Sequence, residues 1–488
     1  MTVLESVLST LREAGQLVSA PEQLPDIAGV TEDSRRVVPG CLFCAVKGTA
    51  LDGHEYVADA QARGAAAALV TRPVGVPIPQ IVVRDSRSAA SLAAREWYGR
   101  PGDGLEIIGV TGTNGKTTTV ALLRHVLSTS RSVGSVGTLG AFDAAGQALE
   151  GYGTLTTPGA VELQAVLAEL KAGGVGTVVM EASSHALDQR RLETLSLRAA
   201  VYTNLTHDHL DYHTDFEAYR AAKLALARYV PSGGFEVVNG DDEAWRALPQ
   251  REGVRRVLYG RGSGVEVGGS DVKLGNRCLS FTMRLEDAAH RITLPLLGDF
   301  NVSNALAAAA AAWTLGEEPQ AIAAALAATP QIAGRMEQLV AADFVVLRDY
   351  AHTPDALERA VVALRPITTG RLIVLFGAGG DRDRRKRPVM GGVVARGADL
   401  AIVTSDNPRT EDPDRIVDDI EAGMEGKAHL RITDRRDAIH QAIALARPGD
   451  CILLAGKGHE TYQVIGTERR PFDEREIVRA ALEQRASA

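Results

Sequence analysis

The stretch from Gly109 to Thr119, GVTGTNGKTTT, decides the fold of this chain. Leu105, Ile107 and Ile108 precede it in a short buried strand, and Val120 to Val126 continues it as a helix with an apolar side. A glycine-rich turn between a strand and a helix directs backbone N–H groups at an anion. In such a turn Lys116 reaches the outer phosphates of a nucleotide, and the Thr117 hydroxyl can ligate Mg²⁺. The stretch therefore predicts a phosphate-binding loop, shorter than the common G-x-x-x-x-G-K-T spacing.

Length and composition are those of a globular protein with several domains. The chain has 488 residues, of which 45% are hydrophobic, and a length of this order predicts roughly three domains. The net charge of -8 argues against a general nucleic-acid binder. The sequence has neither a membrane-spanning apolar run nor a signal peptide, and its four cysteines imply no disulfide framework. We therefore expect a cytoplasmic protein without membrane or nucleic-acid partners.

Strands alternate with helices along the whole chain, which predicts an α/β fold of three domains. Residues 1–103 lack a nucleotide fingerprint and resemble a small substrate-holding unit. Residues 104–330 alternate strand and helix around the phosphate loop, which predicts a parallel sheet with helices on both faces. Residues 331–488 predict a second open α/β sheet. Ligands of such sheets bind at the carboxyl ends of the strands.

Polar residues follow two predicted strands of the central domain. Glu181 comes directly after the strand Thr177 to Met180, where a carboxylate beside a phosphate loop can hold Mg²⁺. The segment from Asn204 to His213 contains three histidines and two aspartates within ten residues. Zinc is one interpretation of this cluster, but no cysteine accompanies it, so the phosphate loop favours Mg²⁺.

Several motifs in this order along the chain resemble those of the Mur ligases, ATP-dependent enzymes that add amino acids to the peptidoglycan precursor. They are TGTNGKTT at 111–118, EASSH at 181–185, the segment 204–213, LGDFNVSN at 297–304, GRME at 334–337 and DYAHTP at 349–354. The resemblance implies a uridine-nucleotide-binding domain, a central ATPase domain and a Rossmann-like amino-acid-binding domain. Three further motifs resemble the family member that adds the third residue, diaminopimelate: DSR at 33–35, DNPR at 406–409 and GKGHE at 456–460.

The resemblance implies ATP and two Mg²⁺ ions as cofactors. It makes Lys223 a carbamate, N6-carboxylysine, although its position in the sequence alone suggests a lysine on a surface helix. It gives catalytic roles to Lys116, Glu181, His209 and Lys223, and metal-binding roles to Thr117, Glu181, His209 and Lys223. The ATP contacts that it implies are Gly112, Thr113, Asn114, Gly115, Lys116, Thr117, Thr118, Asn304, Arg335, Asp349 and His352.

The resemblance also implies two substrate sites. The contacts implied for UDP-N-acetylmuramoyl-L-alanyl-D-glutamate are Glu32, Ser34, Thr49, Ala50, Leu51, Thr156, Thr157, Ser183, Gln189 and Arg191. The contacts implied for meso-diaminopimelate are Arg382, Asp406, Asn407, Pro408, Arg409, Gly456 and Glu460. Among them, Arg409 offers a planar fork for the carboxylate that distinguishes diaminopimelate from lysine. An enzyme that adds lysine or ornithine but keeps this arginine remains an alternative.

The expected reaction is ATP-driven amide formation through an acyl phosphate, in a monomer whose third domain closes on nucleotide binding. Its partners are then small molecules only: the muramoyl-dipeptide nucleotide, meso-diaminopimelate and ATP. One alternative is another ligase of the superfamily, such as the D-alanyl-D-alanine-adding enzyme or folylpolyglutamate synthetase. Another is a nucleotide-binding switch without catalysis, against which the intact Lys116, Glu181, His209 and Lys223 argue.

Overall fold

The computed structural model describes residues 2–48, 51–153, 155–209, 212–275 and 277–487. Two of the expected substrate contacts, Thr49 and Ala50, lie outside the described residues. The chain forms three α/β units, each built on its own sheet. In the described part of the chain, none of the helices has the length and apolar character needed to cross a membrane.

The first unit has a five-stranded sheet in the order β1-β5-β4-β3-β2, in which the edge strand β1 runs antiparallel and the others are parallel. Helices α1 and α3 pack on one face and α2 on the other. The elements are α1 (Val3–Glu13), β1 (Leu17–Ser19), β2 (Gly29–Thr31), β3 (Cys41–Cys44), α2 (Val57–Ala62), β4 (Ala67–Val70), β5 (Gln80–Val83) and α3 (Ser86–Trp97).

The central unit has ten strands in the order β15-β14-β13-β12-β11-β10-β6-β9-β7-β8. Its strands are β6 (Glu106–Thr111), β7 (Val133–Gly137), β8 (Gly140–Phe142), β9 (Thr177–Glu181), β10 (Leu197–Tyr202), β11 (Phe235–Asn239), β12 (Arg255–Gly260), β13 (Val267–Leu274), β14 (Leu279–Leu285) and β15 (Ala288–Leu294). Its helices are α4 (Lys116–Leu127), α5 (Ala160–Ala172), α6 (Ser184–Asp188), α7 (Phe216–Leu224), α8 (Phe300–Thr314) and α9 (Pro319–Ala327).

The central sheet is parallel from β7 to β13, as predicted, but antiparallel strands extend it at both ends. At one end β8 pairs with β7, and at the other β14 and β15 continue from β13. Only Glu286 and Asp287 connect β14 to β15, and a connection that short can join only antiparallel strands. The prediction of a parallel sheet is therefore confirmed for the strands from β7 to β13, and the antiparallel strands at the two ends were not predicted.

Helix α8 supports the phosphate loop because its surface is made of small residues. All residues from Ala305 to Ala312 are buried in the core, and all of them are alanine except Leu306. Side chains this small let α8 approach α4 closely, and both helices share one apolar cluster with the strand β6 that leads into the loop. Asn304 at the start of this run is thereby held against the loop.

The third unit has a six-stranded sheet in the order β16-β17-β21-β18-β19-β20, antiparallel only at β16. Its strands, with a separate hairpin of β22 and β23, are β16 (Glu337–Ala341), β17 (Val345–Asp349), β18 (Leu372–Phe376), β19 (Leu400–Val403), β20 (His429–Arg431), β21 (Cys451–Ala455), β22 (Tyr462–Ile465) and β23 (Glu468–Pro471). Its helices are α10 (Pro354–Leu364), α11 (Lys386–Gly397), α12 (Pro413–Glu421), α13 (Arg435–Leu445) and α14 (Glu474–Ala486).

In this third unit α10, α11 and α12 cover one face of the sheet, and α13 and α14 cover the other. The carboxyl ends of β17, β19 and β21 meet at one edge of the sheet. The loops that follow these strands carry the motifs DYAHTP, DNPR and GKGHE. Short 3₁₀ helices complete the fold at Ser34–Arg36, Gly53–Tyr56, Ala225–Tyr229, Glu243–Ala247 and Arg365–Ile367.

Candidate active site

The phosphate loop requires glycine at two positions. Gly112 has φ +149°, and a Cβ atom there would lie 1.8 Å from Thr203 Oγ1. Gly115 has φ +84°, and a Cβ atom there would lie 2.3 Å from Asn304 Oδ1. The Thr203 hydroxyl also donates to the Asn114 carbonyl over 2.7 Å. The loop is therefore pressed between the end of β10 and the start of α8, which explains how a short glycine turn keeps one conformation.

Two lysines share one acceptor in this loop. Lys116 Nζ and Lys223 Nζ both donate to the Gly112 carbonyl, over 2.9 Å and 2.6 Å. Burial lowers the pKa of Lys116, an effect that Glu181 partly offsets. Burial lowers the pKa of Lys223 well below its ordinary value, and the charge of Lys116 lowers it further. Burial and mutual repulsion thus act on two lysine nitrogens that meet at one carbonyl of the loop.

Lys223 is not a surface lysine. It lies on α7 with 1% of its surface exposed, and its Nζ sits 4.7 Å from the centre of the Tyr219 ring. The Tyr219 hydroxyl in turn lies 3.0 Å from Thr113 Oγ1 in the loop. Helix α7 thus places the lysine against the phosphate loop, and the interpretation of Lys223 as a surface lysine was wrong.

Glu181 ends β9 inside the protein, with 1% of its surface exposed. Its carboxylate accepts the Thr138 backbone N–H over 2.8 Å and the Thr138 hydroxyl over 3.2 Å. The absence of a side chain at Gly137 makes room for it, since a Cβ atom there would lie 2.5 Å from Glu181 Oε1. A cavity of about 210 Å³ is lined by both Glu181 and Thr117. Two of the predicted magnesium ligands therefore face the same space.

His209 has a left-handed backbone, with φ +54°. Its Nε2 lies 3.6 Å from Asp208 Oδ2, and its backbone N–H donates to Asp208 Oδ1 over 2.8 Å. Burial lowers the pKa of His209, so the imidazole is neutral and able to act as a ligand. Its ring packs edge to face against His185, with the ring centres 4.9 Å apart.

The donor set around the loop suits magnesium better than zinc. Over the described ranges, no group of three or more histidine, cysteine, aspartate or glutamate side chains could hold a metal ion by itself. Mg²⁺ accepts few protein ligands and keeps phosphate oxygens and water, whereas structural zinc needs a full set of protein ligands. Thr117 and Glu181, which line one cavity, therefore suit a magnesium site completed by substrate, and the metal-binding roles of His209 and Lys223 stay predictions.

The third domain contacts the loop directly. Arg335 Nη2 donates to Thr117 Oγ1 over 2.8 Å, and its guanidinium stacks on the Tyr350 ring at 4.8 Å. Asp355, in the first turn of α10, accepts the Asn114 side-chain amide over 2.7 Å. A nucleotide in the loop would thus be covered by the third domain.

The other expected nucleotide contacts lie around this junction. The carboxylate of Asp349 accepts the backbone N–H groups of Met336 and Ala351, over 2.7 Å and 2.8 Å, and burial raises its pKa. His352 Nδ1 lies 2.8 Å from the Tyr350 carbonyl, and burial lowers the pKa of His352. Asn304 Nδ2 donates to Asn301 Oδ1 over 2.9 Å, which leaves Asn304 Oδ1 facing the loop.

A second cavity, of about 480 Å³, lies between the first and central domains. Glu32 lines it as predicted, while its carboxylate reaches the start of α5, where a Cβ atom at Gly159 would lie 2.0 Å from Glu32 Oε1. Burial raises the pKa of Glu32, and Arg191 partly offsets this effect. Ser34 and Leu51 lie outside the lining of the cavity. The lining also includes Asp33, Arg36, Trp97, Tyr98 and Glu162.

The remaining residues predicted for the muramoyl-dipeptide form one hydrogen-bonded network near Glu181. Arg191 donates to the Thr157 carbonyl over 2.6 Å and to Gln189 Oε1 over 2.7 Å. The Thr157 hydroxyl donates to the Glu181 carbonyl over 2.8 Å and to Ser183 Oγ over 3.2 Å. Thr156 joins through its hydroxyl, which accepts that of Thr138 over 3.1 Å.

The residues expected to bind diaminopimelate come together at the carboxyl ends of β19 and β21. Asn407 Nδ2 donates to Glu460 Oε2 over 2.9 Å. Gly456 has φ +111°, and a Cβ atom there would lie 2.3 Å from Asp406 Oδ2. The carboxylates of Asp406 and Glu460 thus belong to one pocket wall.

Arg409 belongs to the same loop after β19 as Asp406 and Asn407. It has a left-handed backbone, with φ +52°, and its Nη1 donates to the Gly380 carbonyl over 2.7 Å. A Cβ atom at Gly379 would lie 2.8 Å from Arg409 Nη1 and 3.6 Å from Arg382 Cγ, so the two arginines flank one glycine. Pro408 completes the turn, and its carbonyl packs against Gly380. Both arginines of the predicted amine site are therefore brought together.

Several residues in these contacts were missed by the sequence reasoning. Asp208 and Lys457 stand inside motifs that carried the resemblance, so a polar residue within a motif was the signal. The others have no local signal, because their partners are distant in sequence: Thr138, Tyr219, Asp355, Trp97 and Tyr98.

The fold and the loop define a nucleotide-binding α/β protein of three domains. Three family models match it in order: "Mur ligase family, catalytic domain" at 26–97, "Mur ligase middle domain" at 110–312 and "Mur ligase, glutamate ligase domain" at 334–458. The chain belongs to the Mur ligase family and is a ligase of that family.

Similar proteins match over nearly the full length. Proteins named UDP-N-acetylmuramoyl-L-alanyl-D-glutamate--2,6-diaminopimelate ligase are 41% identical in Geobacillus kaustophilus (94% of this chain, 96% of that relative) and 43% identical in Gloeobacter violaceus (95% of each). A solved structure with the same name has a TM-score of 0.67 and 33% identity, covering 96% of this chain and 98% of that one. MurF ligase from Thermotoga maritima in complex with ADP shares the fold, with a TM-score of 0.65, 20% identity, and coverage of 94% and 97%.

Proposed function

We propose that this ligase uses ATP to join meso-2,6-diaminopimelate to the γ-carboxylate of D-glutamate in UDP-N-acetylmuramoyl-L-alanyl-D-glutamate. The observation that carries the proposal is the grouping of Asp406, Glu460 and Arg409 in the two loops that follow β19 and β21 of the third domain. Diaminopimelate carries an ammonium and a carboxylate at its far end, which matches these charges. The relatives' names support the same substrate.

Each domain contributes one substrate in this proposal. Residues 1–103 bind the uridine nucleotide in the cavity that Glu32 lines. Residues 104–330 bind ATP on the loop 112–118, and residues 331–488 bind the amino acid and cover the nucleotide through Arg335. Bringing three substrates together in fixed orientation accounts for a large part of the rate enhancement.

The first chemical step is phosphoryl transfer. An oxygen of the D-glutamate γ-carboxylate attacks the γ-phosphorus of ATP, the bond to ADP breaks, and an acyl phosphate forms. Lys116 balances charge on the transferring phosphoryl group, and bound Mg²⁺ supplies further electrostatic stabilisation there. Thr117, Glu181, His209 and the carbamate of Lys223 are the groups that would hold two ions.

The position of Lys223 supports its carbamylation. Its lowered pKa makes the neutral amine available, and only the neutral amine reacts with CO₂. The nitrogen attacks CO₂, an N–C bond forms, and a proton is lost, so a cation becomes an anion. That change removes the repulsion between Lys223 and Lys116 at the Gly112 carbonyl and adds an oxygen ligand for Mg²⁺.

The second step is amide formation. The amine nitrogen of diaminopimelate attacks the carbonyl carbon of the acyl phosphate, the C–O bond to phosphate breaks, and the amine loses a proton. Arg409 and Glu460 hold the far end of the amino acid, so the reacting amine points towards the loop. Two Mg²⁺ ions, a monomeric state and a cytoplasmic location stay predictions.

Phosphate release measures the proposed reaction. The protein is assayed with ATP, Mg²⁺ and the muramoyl-dipeptide nucleotide, together with diaminopimelate, lysine or ornithine. Of the three amines, we expect only diaminopimelate to give phosphate release and a tripeptide product detected by mass spectrometry. Release with lysine or ornithine instead would reassign the amine, and no release with any of them would overturn the proposal.

A further inference from the structure

The third domain buries a lysine inside its amine pocket. Lys457 follows β21, and none of its side chain is exposed. Its Nζ donates to Asn407 Oδ1 and to Glu460 Oε2, over 2.8 Å each, and lies 5.4 Å from the centre of the Tyr462 ring. A buried ammonium is costly unless it is paired and fully hydrogen-bonded, and here a carboxylate, an amide oxygen and a ring face surround it.

This lysine joins the two loops that form the pocket. Asn407 belongs to the loop after β19, and Glu460 belongs to the loop after β21. Asn407 Nδ2 donates to the same Glu460 Oε2 over 2.9 Å, so Asn407, Lys457 and Glu460 form a closed ring of hydrogen bonds. Asn407 Oδ1 also accepts the Val464 N–H over 2.9 Å, which fixes the orientation of its amide.

The ring decides which oxygen of Glu460 meets a ligand. Both donors bond to Oε2, so Oε1 can accept a further donor from the cleft. The lysine charge also balances one of two acidic groups, since the Asp406 carboxylate stands beside Gly456 in the same wall. A neutral residue at 457 would leave Glu460 able to rotate and the wall with uncompensated negative charge.

We propose that Lys457 is a positioning residue for the incoming amino acid. It holds the Glu460 side chain with Oε1 directed at the far ammonium of that substrate, and it fixes Asn407 in the same wall. The role rests on the proposed function, in that the third domain binds the amine. Lys457 itself touches no reacting atom, so its effect falls on amino-acid binding and not on phosphoryl transfer.

Steady-state kinetics of Lys457→Met, which keeps the chain length but removes the charge, test this role. We expect KM for diaminopimelate to rise about 10-fold or more, while KM for ATP and for the muramoyl nucleotide stay within about two-fold. The matched control is Arg371→Met, because Arg371 pairs with Asp450 over 2.7 Å at the opposite, amino-terminal edge of the same sheet. Arg371→Met should leave all three KM values unchanged.

A second variant keeps the test valid if Lys457→Met folds poorly. Lys457→Gln retains hydrogen-bond donors without the charge, and calorimetric titration with diaminopimelate measures binding directly. In the background of Glu460→Gln, Lys457→Gln should add little to the loss of affinity, since the lysine acts through Glu460. Equal loss of affinity for all three substrates, or unchanged affinity for the amino acid, overturns the proposal.

Failure of the proposed function gives a different result. If wild-type protein uses lysine or ornithine and not diaminopimelate, the substrate assignment fails, but each of these amines still has a far ammonium. The role of Lys457 is then judged by the KM of the amine that the wild type accepts. A change specific to that KM supports the role, and its absence overturns it.

Discussion

Two buried lysines serve two regions of this protein in opposite ways. Lys223, at the phosphate loop, donates to the Gly112 carbonyl and faces a second lysine, Lys116. Lys457, at the amine pocket, is paired with the Glu460 carboxylate. Burial lowers the pKa of Lys223 and the charge of Lys116 lowers it further, while Asp208 offsets only part of the effect, so the neutral amine is favoured. Lys457 is paired with a carboxylate, and in our proposal it holds Glu460 in place for binding of the amino acid.

Removal of Lys223 tests the proposed chemical role of the lysine at the phosphate loop, and it has the largest expected effect on activity. Lys223→Ala should lower kcat by about 10³-fold, because the variant cannot form the proposed carbamate, which would be an anionic Mg²⁺ ligand near the transferring phosphoryl group. Formate or acetate should restore part of the activity by filling the space. The control is Arg220→Ala on the same helix, whose side chain pairs with Glu217 and should leave kcat unchanged. A fully active Lys223→Ala variant would remove the carbamate from the mechanism.

The carbamate itself has a spectroscopic signature. With ¹³C-labelled bicarbonate, wild-type protein should show a carbamate carbon resonance that Lys223→Ala lacks. Because the pKa of Lys223 is lowered, the neutral amine and the resonance should appear as pH rises through that lowered value, well below 10.5. A resonance that appears only near pH 10.5 would contradict the environment seen here.

The phosphate loop could be predicted from sequence because its geometry is local. The glycines of 109–119, the strand before them and the helix after them lie within one short segment. The grouping of DNPR and GKGHE in the third domain could be predicted for a different reason. Each motif follows a strand, and parallel strands end at the same edge of a sheet. The burial of Lys457 and Lys223 could not be predicted from the sequence, because burial depends on helices and hairpins that are distant in sequence.

The edges of the central sheet and the contact between domains escaped prediction for the same physical reason. Strands β14 and β15 have no two consecutive buried residues, so they carry a weaker signal than the fully buried strands of the parallel core. Asp355 and Asn114 are 241 residues apart, and nothing local marks their contact. Sequence reasoning therefore reached the motifs but not the arrangement that joins them.

Replacement of Arg409 tests how the third domain selects diaminopimelate over lysine. Arg409→Met should lower kcat/KM for diaminopimelate about 100-fold and leave any activity with lysine unchanged, because lysine lacks the carboxylate that the guanidinium would bind. Competition between the two amines, read by mass spectrometry of the product, measures the change. The control is Arg431→Met, a surface arginine bonded to Asp418. Equal loss with both amines would assign Arg409 to folding of the pocket.

Loss of Asp355 tests how the two regions are joined and has the smallest expected effect. Its carboxylate holds Asn114 of the phosphate loop against α10, so Asp355→Ala should loosen the third domain while the chemistry stays intact. We expect a two- to five-fold change in kcat, roughly the size of one lost hydrogen bond, and a larger radius of gyration by X-ray scattering of the ligand-free variant. Glu358→Ala, exposed on the same helix, is the control.

A non-hydrolysable ATP analogue should bring the Asp355→Ala variant back to the wild-type radius, because Arg335 and the nucleotide together can still hold the domains. If the variant keeps the wild-type radius without nucleotide, the contact at Asn114 does not hold the third domain, and the stacking of Arg335 on Tyr350 becomes the candidate for that role. If the radius stays large with nucleotide bound, Arg335 and the nucleotide do not hold the third domain without Asp355. The size of the change in the radius of gyration thus measures how strongly the Asp355 contact joins the phosphate loop, with Lys223, to the third domain, with Lys457.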